Sequence, residues 1–144
     1  MNINLKGNNA LVGGSSKGIG RAIAEQLAAS GANVTVMARS EMVLNEVVNQ
    51  LTANSEQKHQ YLVVDFSNFT DFTVKIKEYF KNNSVDILIN NTQGPSAGGA
   101  LEKSIDDYQA AFDLLFKCAV LTTNLALSHM QKKKWGRIIN VASI

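Results

Sequence analysis

With 144 residues the chain has the length of one ordinary domain, and 45% hydrophobic with 18% charged residues excludes a disordered or fibrous protein. Fourteen basic and twelve acidic residues, scattered along the chain, leave a net charge of +2, which argues against a nucleic-acid or membrane surface as partner. A single cysteine, Cys118, excludes an internal disulfide and fits a reducing cytoplasm, while His59 and His129 leave no metal-site spacing.

In chain order, residues 1–7 are polar and show no apolar leader stretch. Ala10-Leu11-Val12 is a short strand that stops at Gly13-Gly14. A helix follows, with Ile19, Ile23 and Leu27 at four-residue spacing and Gly31 as its stop. Val34-Thr35-Val36-Met37 is the second strand, and Ser40 caps a helix carrying Leu44, Val47, Val48 and Leu51. Tyr61-Leu62-Val63-Val64 is the third strand; Phe69, Phe72, Ile76, Tyr79 and Phe80 give the third helix its stripe. Val85-Asp86-Ile87-Leu88-Ile89 is the fourth strand, followed by a glycine-rich loop over 94–99. A long helix is predicted from after Ser104, where Ser104-x-x-Asp107 has the form of a capping box, to about Lys132. Its uncharged stretch 118–131 includes Thr122, Thr123, Asn124, Ser128 and His129, too polar for a membrane span. Arg137-Ile138-Ile139-Asn140-Val141 is the fifth strand.

Apolar strands alternating with helices predict a parallel sheet covered on both faces, an α/β doubly wound fold. Its ligand site lies at the carboxyl ends of the strands. After the first strand, Gly14-x-x-x-Gly18-x-Gly20 supplies residues without Cβ, so that backbone amides can approach a pyrophosphate at a helix N-terminus. The loop between, Ser15, Ser16, Lys17 and then Ile19, is part of the same candidate site. It is not a P-loop, because Ile19 follows Gly18 where that motif needs Lys and Ser/Thr. At the end of the second strand, dinucleotide folds place an acid for the ribose hydroxyl; this chain has Ala38 and then Arg39. Arg39, with Lys17, can pair a 2′-phosphate, which favours NADP(H) over NAD(H). Asp65 follows the third strand, positioned either to accept from an adenine amino group or to cap the next helix. Asn90-Asn91-Thr92-Gln93-Gly94 follows the fourth, with Gly94 leaving room beside a ligand.

Together these residues resemble the short-chain dehydrogenase/reductase family along the whole chain. The family's Thr-Gly-x-x-x-Gly-x-Gly reads Gly13-Gly14-Ser15-Ser16-Lys17-Gly18-Ile19-Gly20, its Asn-Asn-Ala-Gly reads Asn90-Asn91-Thr92-Gln93-Gly94, and 137–143 is similar to the strand leading to the catalytic serine, Ser143. The basic pair is similar to the NADP(H)-preferring branch that includes 3-oxoacyl-carrier-protein reductases. The resemblance implies a Rossmann-type sheet of about five strands in the order 3-2-1-4-5, incomplete relative to the family fold. It implies a single dinucleotide-binding domain over 1–144, with cofactor contacts at Gly14, Ser15, Ser16, Lys17, Gly18, Ile19, Gly20, Arg39, Asp65, Phe66, Asn91 and Gly94. It implies a small carbonyl or alcohol substrate, and a homo-oligomer, dimer or tetramer, formed through the long helix.

Two departures stand out. Leu115 falls in or next to the slot of the family's catalytic asparagine, and Asn124 lies too far along to fill it. The 144 residues contain no Tyr-x-x-x-Lys: Tyr61, Tyr79 and Tyr108 are followed four residues on by Asp65, Asn83 and Phe112. The expectation is an oxidoreductase chain inactive by itself. The alternatives are a non-catalytic dinucleotide-binding or subunit-interaction module, and a methyltransferase, which would want an acid where Ala38-Arg39 stands.

Overall fold

The computed structural model describes residues 3–142. Five parallel strands, β1 (Asn9–Val12), β2 (Asn33–Ala38), β3 (Gln60–Val63), β4 (Ile87–Asn90) and β5 (Arg137–Asn140), form one sheet in the order β3-β2-β1-β4-β5. The expected order and strand count both hold. Strand alternation divides the core in two. Ala10, Val12, Val34, Val36, Ile87 and Ile89 face one layer, formed by helices α1 (Gly18–Ala29) and α2 (Glu41–Gln50). Leu11, Met37 and Leu88 face the other, where α3 (Phe69–Asn82) brings Phe72 and Ile76.

The long helix runs without interruption over Ile105–Lys133, as predicted, but it is not one regular α-helix. It comprises α4 (Ile105–Phe112), a π turn at Asp113–Lys117 and α5 (Cys118–Lys133). The capping box at Ser104 is present: its hydroxyl accepts from the Asp107 N–H, and Asp107 accepts from the Ser104 N–H. An 18-residue window of this helix reaches a mean hydropathy of 1.5, enough by length and composition to cross a bilayer. Leu114, Cys118, Thr122, Ala126 and Met130 are buried at regular helical spacing, and Leu114, Cys118, Ala126 and Met130 join the α3-side core, which makes it a covering helix of the sheet.

β4 begins two residues later than its apolar run. Val85 and Asp86 are buried but precede the strand; Asp86 is held there by its side chain as well as its backbone. The Asp86 carboxylate, almost fully buried, accepts from the Asn9 N–H at 2.8 Å, from Lys133 Nζ at 2.8 Å and from His129 Nε2 at 2.9 Å. It therefore ties β1 and α5 to the amino end of β4. β5 is an edge strand among the described residues, and its apolar Ile139 is half exposed.

Candidate functional site

The glycine turn sits at the carboxyl end of β1, and Asn91 locks it. The Asn91 side-chain amide donates to the carbonyls of Gly13 (3.0 Å) and Gly14 (3.5 Å). A Cβ on Gly14 would stand 2.8 Å from Asn91 Nδ2; a Cβ on Gly13 would collide with the Asn91 carbonyl oxygen, and one on Gly20 with the Gly14 carbonyl. Crowding thus demands glycine at all three, including Gly13, where the family pattern has threonine. Gly14 and Gly18 also have φ of +57° and +58°, the left-handed region that favours glycine. A Cβ on Gly18 would meet nothing within 4 Å: the space above the turn is open.

This turn delivers the start of α1 without a cap. Lys17 occupies the N-cap position with no side-chain hydrogen bond, and the first turn holds no acid. The other α-helices that begin from a loop differ: Ser40, Asn68 and Ser104 each accept a backbone N–H at the starts of α2, α3 and α4. The orphan N–H groups of α1 therefore remain available to an anion, with the helix dipole behind them.

The other predicted residues are placed as follows. Lys17 and Arg39 are both exposed and enter no ion pair among the described residues, while Ala38 beside Arg39 is buried. Ser16 and Ile19 lie on the turn, Ile19 exposed. Ser15, expected among the cofactor contacts, holds its side chain inside the fold. It is fully buried; its Oγ donates to the Val12 carbonyl at 2.8 Å and accepts from the Met37 N–H at 2.9 Å. It fastens the turn to β2 and has no hydroxyl to offer a ligand.

Asp65 does not cap α3; Asn68 does. The Asp65 Oδ1 instead accepts from the Ser67 hydroxyl and N–H, at 2.6 and 2.9 Å. The hydroxyl bond leads in holding its carboxyl below the usual value, against partial burial and with help from Arg39. Its Oδ2 has no partner among the described residues. Phe66 is buried against Phe72, ring centroids 5.2 Å apart, and its carbonyl accepts from the Cys118 thiol. Gly94 is exposed at the mouth of the cleft. Ser143, the expected catalytic serine, lies outside the described residues.

A cavity of about 910 Å³ opens at these strand ends. Gly13 and Ile19 line it from the glycine turn, Phe66 from beyond β3, Asn91 and Gly94 from beyond β4, and Leu115 and Phe116 from the π turn. It brings together residues that are far apart in the chain, and two of its features were missed from sequence. One is the apolar wall at the π turn. The other is a polar triad: Asn90 Nδ2 donates to Thr123 Oγ1 at 3.1 Å and to Asn140 Oδ1 at 2.8 Å. The signal for it was present, because Asn90 and Asn140 each close an apolar strand and are register partners in the β4–β5 pair. A shallower hollow of about 410 Å³ lies at the β3 edge between Tyr61 and Tyr79, away from these residues.

Sheet order, glycine turn and strand-end cavity together define a Rossmann-type α/β domain. The family model for short chain dehydrogenases matches residues 8–144, and the chain belongs to that family of oxidoreductases. It is 32% identical over 148 residues to the 3-oxoacyl-[acyl-carrier-protein] reductase of Aquifex aeolicus, covering all of this chain and 58% of that protein. Among solved structures it is similar to a 3-oxoacyl (acyl-carrier-protein) reductase of Agrobacterium tumefaciens with NADP bound. That match has a TM-score of 0.86 and 32% identity, over 98% of this chain and 54% of the other. It is also similar to the L-sorbose reductase of Gluconobacter frateurii complexed with NADPH and L-sorbose, at a TM-score of 0.88 and 29% identity, over 100% and 55%. The chain spans about half to three fifths of the length of the curated relatives it matches.

Proposed function

We propose that the chain is the NADP(H)-binding domain of a short-chain dehydrogenase/reductase that moves hydride between the nicotinamide and a carbonyl or alcohol substrate. The observation that carries this reading is the uncapped N-terminus of α1, opened by a turn in which Gly13, Gly14 and Gly20 admit no side chain. The α1 N–H groups hold the diphosphate. Lys17 and Arg39, exposed and unpaired among the described residues, take the 2′-phosphate, with no acid at Ala38 to repel it. Asp65 Oδ2 accepts from the adenine, Phe66 and Ile19 line the cleft beside the cofactor, and Asn91 keeps the turn in shape. Bound there, the cofactor supplies the hydride. Ser143 steadies the substrate oxygen, as the resemblance implies. NADP- and NADPH-bound structural relatives support the cofactor choice. Calorimetric titration tests it: NADPH binding tighter than NADH, and no binding of S-adenosylmethionine, is expected; failure to bind NADPH refutes it.

A second reading is favoured by the absence of Tyr-x-x-x-Lys from the 144 residues. In the family that tyrosine exchanges the substrate proton, so this chain by itself binds cofactor without turnover. NADPH oxidation with carbonyl substrates by the purified chain, at an enzyme-like rate, refutes it. We further propose a cytoplasmic homo-oligomer through the long helix. Ile105, Tyr108 and Phe112 are exposed along one face of α4, outside the cavity lining. Analytical ultracentrifugation is expected to give a dimer or tetramer, and a Phe112→Ser chain is expected to dissociate; a monomer at micromolar concentration refutes this part.

A further inference from the structure

We propose that the strand-end cavity selects a neutral carbonyl compound with an apolar body, and that Leu115 is a specificity-determining contact for it. The inference names the substrate class for the function proposed above, and rests on that reading for the chemistry.

Three independent features of the cavity lead to it. The first is charge. The chain is 18% charged, yet no Asp, Glu, Lys, Arg or His stands among the described residues lining the cavity. A substrate carboxylate or phosphate entering it would lose hydration and gain no counter-ion. The second is the direction of the hydrogen bonds. Asn90 uses its amide N–H groups on Thr123 Oγ1 and Asn140 Oδ1. Each of those oxygens is thereby fixed as an acceptor. The Thr123 hydroxyl hydrogen and the Asn140 amide N–H groups are left with no partner among the described residues, and both residues line the cavity. A hydrogen-bond acceptor, such as a ketone oxygen, is what two such donors fit; the choice of a neutral one rests on the uncharged lining.

The third is the π turn. Its extra residue per turn separates the charged and apolar groups of Asp113–Lys117. Lys117 pairs with Asp113 at 2.9 Å and lies 4.3 Å from the centre of the Phe69 ring, so its charge is turned towards α3. Leu114 is buried in the core. Leu115 and Phe116 are then presented to the cavity, 44% and 56% exposed, with the Phe116 ring stacked on Phe112 and the Leu115 side chain left as the open apolar contact. An apolar substrate body is the ligand that this surface rewards.

The test uses the 144-residue chain and a matched pair of ligands, 2-octanone and 7-oxooctanoate, titrated by saturation-transfer NMR with and without NADPH. The expected result is that 2-octanone binds and the keto acid binds at least about tenfold more weakly, the consequence of burying a carboxylate without a partner. Leu115→Asn, at an exposed position that does not enter the core, is expected to weaken 2-octanone about fivefold, the worth of the apolar contact area it removes. Leu101→Asn, fully exposed and outside the cavity, is expected to leave binding unchanged. Equal or tighter binding of the keto acid overturns the proposal, as does failure of 2-octanone to bind. An equal loss from Leu101→Asn also overturns it, since that would mark surface adsorption. NADPH binding is read separately by its fluorescence. Ketone selectivity without NADPH binding refutes the cofactor reading alone; NADPH binding without ketone selectivity refutes this inference alone.

Discussion

Gly20→Ala probes the seating of α1 against the glycine turn. The new Cβ would stand 2.8 Å from Asn91 Nδ2 and from the Gly13 carbonyl oxygen, and nearer still to the Gly14 carbonyl oxygen. Ordinary contact begins at 3.4 Å, so the two longer contacts alone must each open by about 0.6 Å. Two of the three atoms are main-chain carbonyls bonded to Asn91, and they cannot swing away as a flexible side chain would. Relief must come from lifting α1, whose Ala24 and Ala28 are buried against the sheet. Overpacking of that kind costs about 1–3 kcal/mol. At roughly 3–5 °C per kcal/mol for a chain of this size, Tm falls by about 3–15 °C. Gly18→Ala differs in kind. It meets no atom within 4 Å but carries a φ of +58°, a backbone cost of about 1–2 kcal/mol. Its methyl also enters the open space above the turn, so NADPH should no longer raise its Tm. Gly94→Ala meets nothing within 4 Å and has no positive φ, so its Tm should match that of the parent chain. Far-UV circular dichroism melts with and without NADPH separate the three. A Gly20→Ala chain that melts with Gly94→Ala would refute the contact geometry on which the site is built.

Three further outcomes follow from the same structure. Arg39→Ala should weaken NADPH about tenfold, the loss of one charge-assisted phosphate contact, and leave NADH unchanged in calorimetric titration. Burial raises the Asp86 carboxyl, but the bonds from Lys133, the Asn9 N–H and His129 outweigh it and hold it below the ordinary carboxylate value. Its contribution is therefore present above about pH 4 and lost as pH falls through the folded value. Asp86→Asn should cost about 2 kcal/mol in urea unfolding at neutral pH, with the gap to the parent chain closing at pH values below the carboxylate range; an unchanged gap would contradict this. Burial, then the charge of Asp113, pushes the Cys118 thiol up to about 12 despite Lys117. Iodoacetamide at pH 8 should leave it unmodified in the native chain and alkylate it in urea, as read by intact mass.

The sequence made the sheet legible because each strand is a short apolar run ended by glycine, asparagine or a charge. Helix caps at Ser40 and Ser104 were equally readable, since a cap is a local bond between residues three apart. The role of the Ser15 hydroxyl was not legible in the same way. A serine in a glycine loop looks available to a ligand, and only the approach of Met37 from β2, 22 residues on, shows its hydroxyl to be spent. The π turn escaped notice because Asp113 and Lys117 have the spacing of an ordinary helical ion pair. The Asp86 cluster was hidden for the plainest reason: its partners Asn9, His129 and Lys133 are 77, 43 and 47 residues away. Asp65 was left between two roles, and the structure divides the carboxylate: Oδ1 belongs to the Ser67 turn, and Oδ2 has no partner among the described residues.

The two ends of the sheet differ in a way that bears on what the cleft accepts. At the amino ends, polar groups are consumed internally. Asp86 holds three donors, His59 accepts from the Val34 N–H and bonds the Thr52 carbonyl, and Gln57 donates to the carbonyls of Ala28 and Ala32. At the carboxyl ends, hydrogen-bonding capacity is left over, and it is sorted by charge. The start of α1, Lys17 and Arg39 form a positive rim around the glycine turn. Beyond it the described residues lining the cavity carry no formal charge, and they include the donors of Thr123 and Asn140 as well as the apolar Leu115 and Phe116. A ligand matched to this gradient is polyanionic at one end and neutral where the other end meets its reaction partner. Of the cofactors the site could hold, NADP(H) has that distribution: three phosphoryl groups about the adenosine and linker, and an uncharged reduced nicotinamide at the far end. The charge gradient and the inferred neutral carbonyl are thus two consequences of one arrangement. A cation placed in the cavity, as in Leu115→Lys, should relax the preference against 7-oxooctanoate while leaving the affinity for NADPH at the rim intact. An unchanged preference would mean that the keto acid is rejected for some reason other than charge.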